Sequence, residues 1–288
     1  MLVLAALVLV AKGVFLIPGH FSPGSQPDGN TIVLRGNDGL VVVDTGRHPE
    51  HTNEIIAFAR KQKLPVTAIV NTHWHLDHTG GNALLRREYP NVHVYASDAI
   101  NDALHGFLAD YRKQLTDRAE IALIDSLVPP DEVITSSGTR TLAGRKLELH
   151  LESNAVTAGD LWLFDPSTKT LIAGDLVTLP APFLDTACPT HWRAALDELS
   201  KVNFSQLIPG HGAPMKRKEF DLYRTAFNHL LDCAASSQSK ETCIDGWLKD
   251  AAPLIKGEDM KYLRAMVDYY MTTSLRADAA HNAKLCGG

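Results

Sequence analysis

Nowhere in its 288 residues does this chain hold an apolar stretch long enough to cross a bilayer as a helix, which takes about 20 residues. Its apolar start, Met1 to Ala11 (MLVLAALVLVA), stops well short of that length. The chain also lacks any Lys/Arg-rich block, and its formal net charge is −5. That removes the basic footprint expected of a nucleic-acid binder and the polybasic patch of a membrane-surface protein. No two of its four cysteines form a C-x-x-C pair, which argues against a zinc ribbon or a thioredoxin-type site. No internal period repeats along the chain, so a solenoid is not expected either.

What is present is ordinary bulk and an uneven scatter of histidine. Apolar residues make up 45% and charged residues 21%, enough for one large domain or one domain with an appendage. The apolar start fits the core of a secretory signal, with small Ala11 where cleavage would fall. No Lys or Arg precedes it, however, and a buried first strand is the alternative. Export to the periplasm or beyond suits the cysteines as well. Cys233 and Cys243 flank a polar stretch, Ala234 to Thr242, that reads as a loop between two helices, where a disulfide would staple a helical hairpin. Cys188 and Cys286 would be the remaining pair; four buried thiols in a cytosolic protein is the opposing reading.

From Val14 to about Pro214, short β-branched runs alternate with helical stretches. Strands are expected at Val14–Ile17, Thr31–Arg35, Leu40–Asp44, Ala68–Asn71, His93–Ala96, Lys146–Leu151, Leu161–Asp165, Thr170–Ala173 and Gln206–Pro209, several bounded by Gly, Asn, Asp or Pro. Asn37-Asp38-Gly39 signals a hairpin turn. Helices are expected at His51–Lys63, Asn82–Glu88, across Asp98–Ile124 with possible breaks, and at Trp192–Lys201. Beyond Pro214 the spacing is helical, with helices near Glu219–Ala235, Ile244–Leu254 and Met260–Arg276. The predicted class is α/β with a helical C-terminal extension. Residues 1–11 are the leader, 12–215 the mixed domain and 216–288 the extension.

The chemistry concentrates in Thr72-His73-Trp74-His75-Leu76-Asp77-His78, which follows an apolar strand and precedes Gly80-Gly81. Three histidines and an aspartate in six residues place four good zinc ligands at one strand end. On extended backbone residues i and i+2 face the same way, so His73 and His75 can share one ion. Asp77 and His78 lie past the strand, where a turn can aim them at a second ion.

The pattern His73-x-His75-x-Asp77-His78 resembles the signature of the metallo-β-lactamase superfamily. Three further segments match it in order. Val41-Val42-Val43-Asp44-Thr45-Gly46 resembles the strand whose aspartate stands behind the metal ligands. Ala173-Gly174-Asp175 resembles the segment whose aspartate bridges two metals. Pro209-Gly210-His211-Gly212 resembles the last ligand histidine. The resemblance spans about Val14 to Pro214 and implies a four-layer αββα sandwich with the metal site at one edge. In overall texture the chain is similar to periplasmic hydrolases associated with quinoprotein systems. A role for His20 in contacting substrate is also implied, since family members line the pocket at that loop; the role of His48 is open.

One departure stands out. Full two-metal members carry a motif close to G-H-T-x-G-D before the bridging aspartate. Here the stretch reads Ala155-Val156-Thr157-Ala158-Gly159-Asp160, with valine in the histidine position. Valine has no donor atom. His150, six residues earlier, would need an unusual backbone path to replace it, and His191 reads as part of a helix start. The first position then keeps His73, His75 and an oxygen of Asp175; the second keeps Asp77, His78, His211 and Asp175. Catalytic zinc takes about three protein ligands and an open position, so one ion should be firm and the other weak or absent. Mixed nitrogen and oxygen ligands suit zinc best and do not rule out manganese or iron.

The resemblance therefore implies a metal-dependent hydrolase. Asp77 would be both ligand and orienter of the attacking water, and the substrate a small ester, lactone, thioester or amide such as a β-lactam. The rival reading is a binding protein on the same fold that keeps one metal without catalysis. Neither the substrate's identity nor the oligomeric state is written in these residues.

Overall fold

The structure is a computed structural model that describes residues 7–20, 25–277 and 283–287. The chain divides into two units: residues 1–151 with 161–168, and residues 152–160 with 169–288. The border expected near residue 215 does not coincide with this division, because the helices beyond it belong to the second unit.

The first unit is built on a seven-stranded sheet in which sequence order equals spatial order. It begins with β1 (Val8–Ala11), β2 (Val14–Ile17), β3 (Thr31–Arg35) and β4 (Leu40–Val43), all paired antiparallel. It continues with β5 (Val66–Val70), β6 (His93–Ala96) and β7 (Glu132–Val133), each parallel to its predecessor. Of the apolar leader, residues 7–11 are described, and Val8–Ala11 are the edge strand, their first residues exposed. That is the strand alternative, with the difference that it is exposed rather than buried. Residues 1–6 lie outside the described residues. The turn at Gly36 to Gly39 closes the β3–β4 hairpin through a bond from Gly36 N to the carbonyl of Gly39 at 2.9 Å.

The parallel half of this sheet sets up the site. Parallel strands carry their C-terminal ends on one edge, and that is where an open sheet places its functional loops. Val43 pairs with Val70, and Val70 with Tyr95. The segments beginning at Asp44, Asn71 and Ser97 therefore leave the sheet side by side. The long α1 (Pro49–Gln62) starts with Pro at its first turn, where a missing N–H costs nothing, and ends on Lys63 in the left-handed region. Its Ile55, Ile56, Phe58 and Ala59, with Leu85 of α3 (Asn82–Glu88), bury against Val33, Val42, Ile69 and Val94 of the sheet. After β6 come three short helices, α4 (Ala99–His105), α5 (Phe107–Gln114) and α6 (Arg118–Asp125). These are the breaks expected in Asp98–Ile124. The antiparallel pair β8 (Gly138–Leu142) and β9 (Arg145–Ser153) follows. Strand β8 has no counterpart among the expected strands, since the polar stretch Gly138-Thr-Arg-Thr carries no apolar run.

The second unit holds the parallel pair β11 (Thr170–Thr178) and β12 (Gln206–His211), reached after β10 (Gly159–Asp165) and joined by α7 (Pro189–Lys201). Helices α8 (Arg217–Ala235), α9 (Lys240–Asp250) and α10 (Met260–Tyr270) follow, as expected within a few residues. Their core is aromatic: Phe227 lies 4.9 Å from Trp192, and Tyr223 6.2 Å from Trp247, ring centre to ring centre. The Trp192 indole donates to the carbonyl of Leu176 at 2.8 Å, tying α7 to β11. Cys233 is bridged to Cys243 and Cys188 to Cys286, the pairing expected. A bridge across a 98-residue separation restricts the unfolded chain far more than one across 10. Among the described residues, no helix is long and apolar enough to cross a membrane.

Candidate metal centre

In the first unit the histidine run leaves β5 and turns at once into the one-turn helix α2 (Leu76–Thr79). The strand forms because Val66-Thr-Ala-Ile-Val is β-branched and buried; it ends where polar Asn71 and Thr72 begin to bond neighbouring loops. His73, His75 and His78 are all buried, at 3%, 9% and 0% exposure. Burying three imidazoles without partners would be costly, so each nitrogen's direction matters. His73 Nε2 and His75 Nδ1 face each other at 2.9 Å. The His73 and His78 rings are 4.2 Å apart.

Asp44 organises this cluster from behind. It is 1% exposed and sits at φ 59°, a left-handed conformation that aspartate tolerates better than most side chains. One carboxylate oxygen accepts from Thr72 N at 2.8 Å; the other accepts from Thr72 Oγ1 at 2.7 Å and from His78 Nδ1 at 2.8 Å. A carboxylate against Nδ1 keeps the proton on that nitrogen and leaves the Nε2 lone pair for an ion. His78 Nε2 stands 3.7 Å from an oxygen of Asp77. Gly29 packs on the His78 ring so closely that a Cβ there would come within 2.5 Å of it. The Gly29 amide also donates to the Asp77 carbonyl at 2.9 Å.

The loop before Gly29 carries a second polar knot. Asp28, 4% exposed, accepts from the amides of Arg47 (2.6 Å) and His48 (2.8 Å) and faces His48 Nδ1 at 2.9 Å. His51 bonds Thr31 Oγ1 at 2.8 Å, and burial pulls its imidazole below the ordinary range, with Asp28 opposing the shift. His20 is exposed, its carbonyl accepting from Asp28 N at 2.9 Å. Asp28 and Gly29 escaped sequence reasoning. Pro27-Asp28-Gly29-Asn30 reads as any polar turn, and only the fold brings it to His78.

In the second unit Asp175 lies on β11 and His211 ends β12, with His211 Nε2 3.6 Å from Asp175 Oδ1. Gly210 is required here: a Cβ would meet that carboxylate oxygen at 1.9 Å. Tyr223 of α8 reaches the end of β11, where its hydroxyl accepts from Thr178 N at 3.4 Å; burial and the charge of Asp175 hold its hydroxyl protonated.

Val156 is wholly buried in a closed turn of the same unit. Its amide donates to Asp160 Oδ2 at 2.9 Å, and its carbonyl accepts from Thr186 Oγ1 at 2.9 Å. Thr157 adds its amide and its hydroxyl to Asp160, at 3.0 and 2.9 Å. Burial pushes Asp160 up to about 7 against these bonds. His150 is engaged elsewhere: its ring stacks on Trp162, 3.7 Å between centroids. His191 is exposed on α7.

The donor sets fit a zinc-type ion. Tetrahedral zinc with bonds of about 2.0–2.1 Å puts its ligand atoms ~3.3 Å apart. The measured pairs, 2.9 Å for His73 with His75, 3.7 Å for Asp77 with His78 and 3.6 Å for Asp175 with His211, lie around that value. Neutral imidazole and carboxylate are also the donor chemistry such an ion prefers.

Comparison with known proteins points the same way. The family model of the metallo-beta-lactamase superfamily matches residues 25–211. A linear primary-alkylsulfatase of Pseudomonas sp. is 27% identical over 226 residues, covering 65% of this chain and 42% of the relative, so the chain spans less than half of that protein. The type 2 metallo-beta-lactamase of Bacillus cereus is 25% identical over 201 residues, covering 67% of this chain and 70% of the relative. Among solved structures, a metallo-beta-lactamase from Pontibacter korlensis matches with a TM-score of 0.61 at 22% identity, covering 77% of this chain and 98% of that one. A sec-alkylsulfatase from Pseudomonas sp. matches with 0.63 at 20% identity, covering 94% of this chain and 50% of its own. The histidine run with its buried aspartate, the fold and the matched span together make this chain a member of the metallo-beta-lactamase superfamily.

Proposed function

We propose that the protein is a metal-dependent hydrolase, with His73, His75 and Asp175 as the ligands of one ion and Asp77, His78 and His211 as those of the other, Asp175 being shared between them. The observation that carries this reading is the orientation of the histidine cluster, with His78 Nδ1 bonded to Asp44 and the nitrogens of His73 and His75 turned to each other. Zinc, when bound, supplies Lewis acidity and draws the pKa of a water down towards about 7. Asp77, in the first turn of α2, orients the attacking water and accepts its proton. Asp44 holds His78 in the ligating tautomer. Val156 leaves the His73–His75 position one donor short, so that ion is the weaker one.

The substrate is a small ester, lactone, thioester or amide, with sulfate esters added by the names of the alkylsulfatase relatives. The two disulfides fit an oxidising compartment, and we infer the periplasm or the exterior as the working location. Metal analysis after zinc loading, with turnover on acyl ester, lactone, thioester, β-lactam and alkyl sulfate substrates, tests the reading. At least one ion per chain and hydrolysis of one class are expected, and Asp77→Ala should lower turnover about 100-fold or more with the fold intact. Val156 favours a second reading, a metal-holding protein without catalysis. About one ion per chain with no turnover on any class would decide for it, and metal content well below one per chain with no turnover would sink both readings.

A further inference from the structure

The histidine run contributes one large side chain that is no ligand. Trp74 stands between His73 and His75, 7% exposed, with its ring edge-on to His75 at 4.7 Å. Its other neighbour is Phe107, 5.3 Å away at the first residue of α5. Phe107 in turn stacks on Tyr111 one helical turn later, at 6.3 Å and 23°. An unbroken line of rings thus runs from His75 outward. Within it Phe107 is 52% exposed, while the tryptophan beneath it is buried.

The placement is not accidental to the fold. Strands β5 and β6 are parallel, so the ligand run and the α4–α6 segment leave the same edge of the sheet. Trp74 and Leu76 are packed into the core of that segment with Ile100, Leu108 and Ile124. Arg47, in the loop that follows Asp44, forms a half-buried ion pair with Glu120 of α6, fastening the segment a second time. Gly106 interrupts the helix immediately before Phe107 and so presents the ring at the start of a new one. A half-exposed phenylalanine forfeits much of the burial gain its ring could have. Beside a reactive centre, an apolar ledge of this kind is what a substrate's hydrocarbon part would cover.

We propose that Phe107, supported by Trp74 and Tyr111, is the specificity-determining subsite for the apolar arm of the substrate. The substrate class is then an ester whose scissile bond carries an aliphatic or aryl group of several carbons. This rests on the hydrolase reading for the reaction, and on the ring geometry alone for the subsite. Each methylene laid on the ledge should tighten binding up to three- to four-fold, about 0.8 kcal/mol per buried CH2.

Calorimetric titration of the zinc-loaded protein with acetate, hexanoate and decanoate tests it, alongside turnover of acetyl, hexanoyl and decanoyl esters of one phenol. In the native protein affinity should climb with chain length. Phe107→Ala should flatten the climb to a third or less, with Phe107→Leu between the two. The exposed position lets both variants fold, which an unchanged melting temperature would verify. A chain-length dependence as steep in Phe107→Ala as in the native protein overturns the subsite. Turnover with a flat chain-length dependence sinks the subsite and spares the hydrolase. No turnover with a Phe107-dependent climb in affinity sinks the hydrolase and sustains the subsite.

Discussion

Asp44 in the first unit and Asp160 in the second are both buried, and each closes a turn next to a strand with its carboxylate oxygens. Both accept a backbone amide and a threonine hydroxyl. They differ in the third partner: Asp44 takes His78 Nδ1, whereas Asp160 takes only the amide of Val156. Through the imidazole, Asp44 reaches a candidate metal-binding nitrogen. Asp160 braces a residue that ends in two methyl groups, and it feels the candidate ligand Asp175 only through its charge. The same device, a buried carboxylate organising a loop, is therefore hydrogen-bonded to a candidate metal ligand in one place and to backbone and threonine alone in the other.

The sharpest way to break this contrast is Asp44→Asn. The amide oxygen can still accept from Thr72, but an NH2 group facing His78 Nδ1 drives the ring proton to Nε2, where it blocks the ligand. Metal affinity measured by chelator competition should drop about 10–100-fold; an unchanged affinity would mean that Asp44 acts on the fold alone. Val156→His sharpens the other side. Metal content should rise from about one towards two ions per chain, as expected where zinc gains a third protein ligand. Two ions already held firmly by the native protein would contradict the ligand count.

The smallest effect belongs to Asp160→Asn. The carboxyl binds its proton more tightly in the folded protein, at about 7, than at the ordinary aspartate value of 3.8. Its stabilising contribution is therefore complete below about pH 4 and is lost as the pH rises through 7. The native melting temperature should fall over that window, and the variant should flatten the fall by a few degrees. A variant with the native slope would show that some other group carries the pH dependence.

Much of this site is legible in the sequence because its signals are local. His73, His75, Asp77 and His78 sit within six residues, and one strand followed by one turn is enough to aim them. The strands around them read correctly because β-branched runs bounded by Gly, Asn or Asp have few other uses. The misses share a cause. Strand β8 carries no apolar run, and residues 7–11 are apolar without being buried, so pattern and burial parted company there. The Met271–Leu275 turn winds as a π-helix after α10, where an uninterrupted helix to Arg276 was expected.

The sequence by itself determined the family, the candidate ligand residues and the absent histidine at Val156, since each is a matter of residue identity and short spacing, whereas the cysteine pairs were only an expectation that the fold then met. Only the tertiary structure decided which groups stand behind those ligands. Asp28 and Gly29 come to the turn at Asp77 and His78 from a loop two strands earlier in the sheet. Gly210 is needed because Asp175 lies against it, and Phe107 meets Trp74 because two parallel strands end side by side. Contacts of this kind join segments far apart in the chain, and their partners are fixed by sheet register rather than by any pattern a single segment carries.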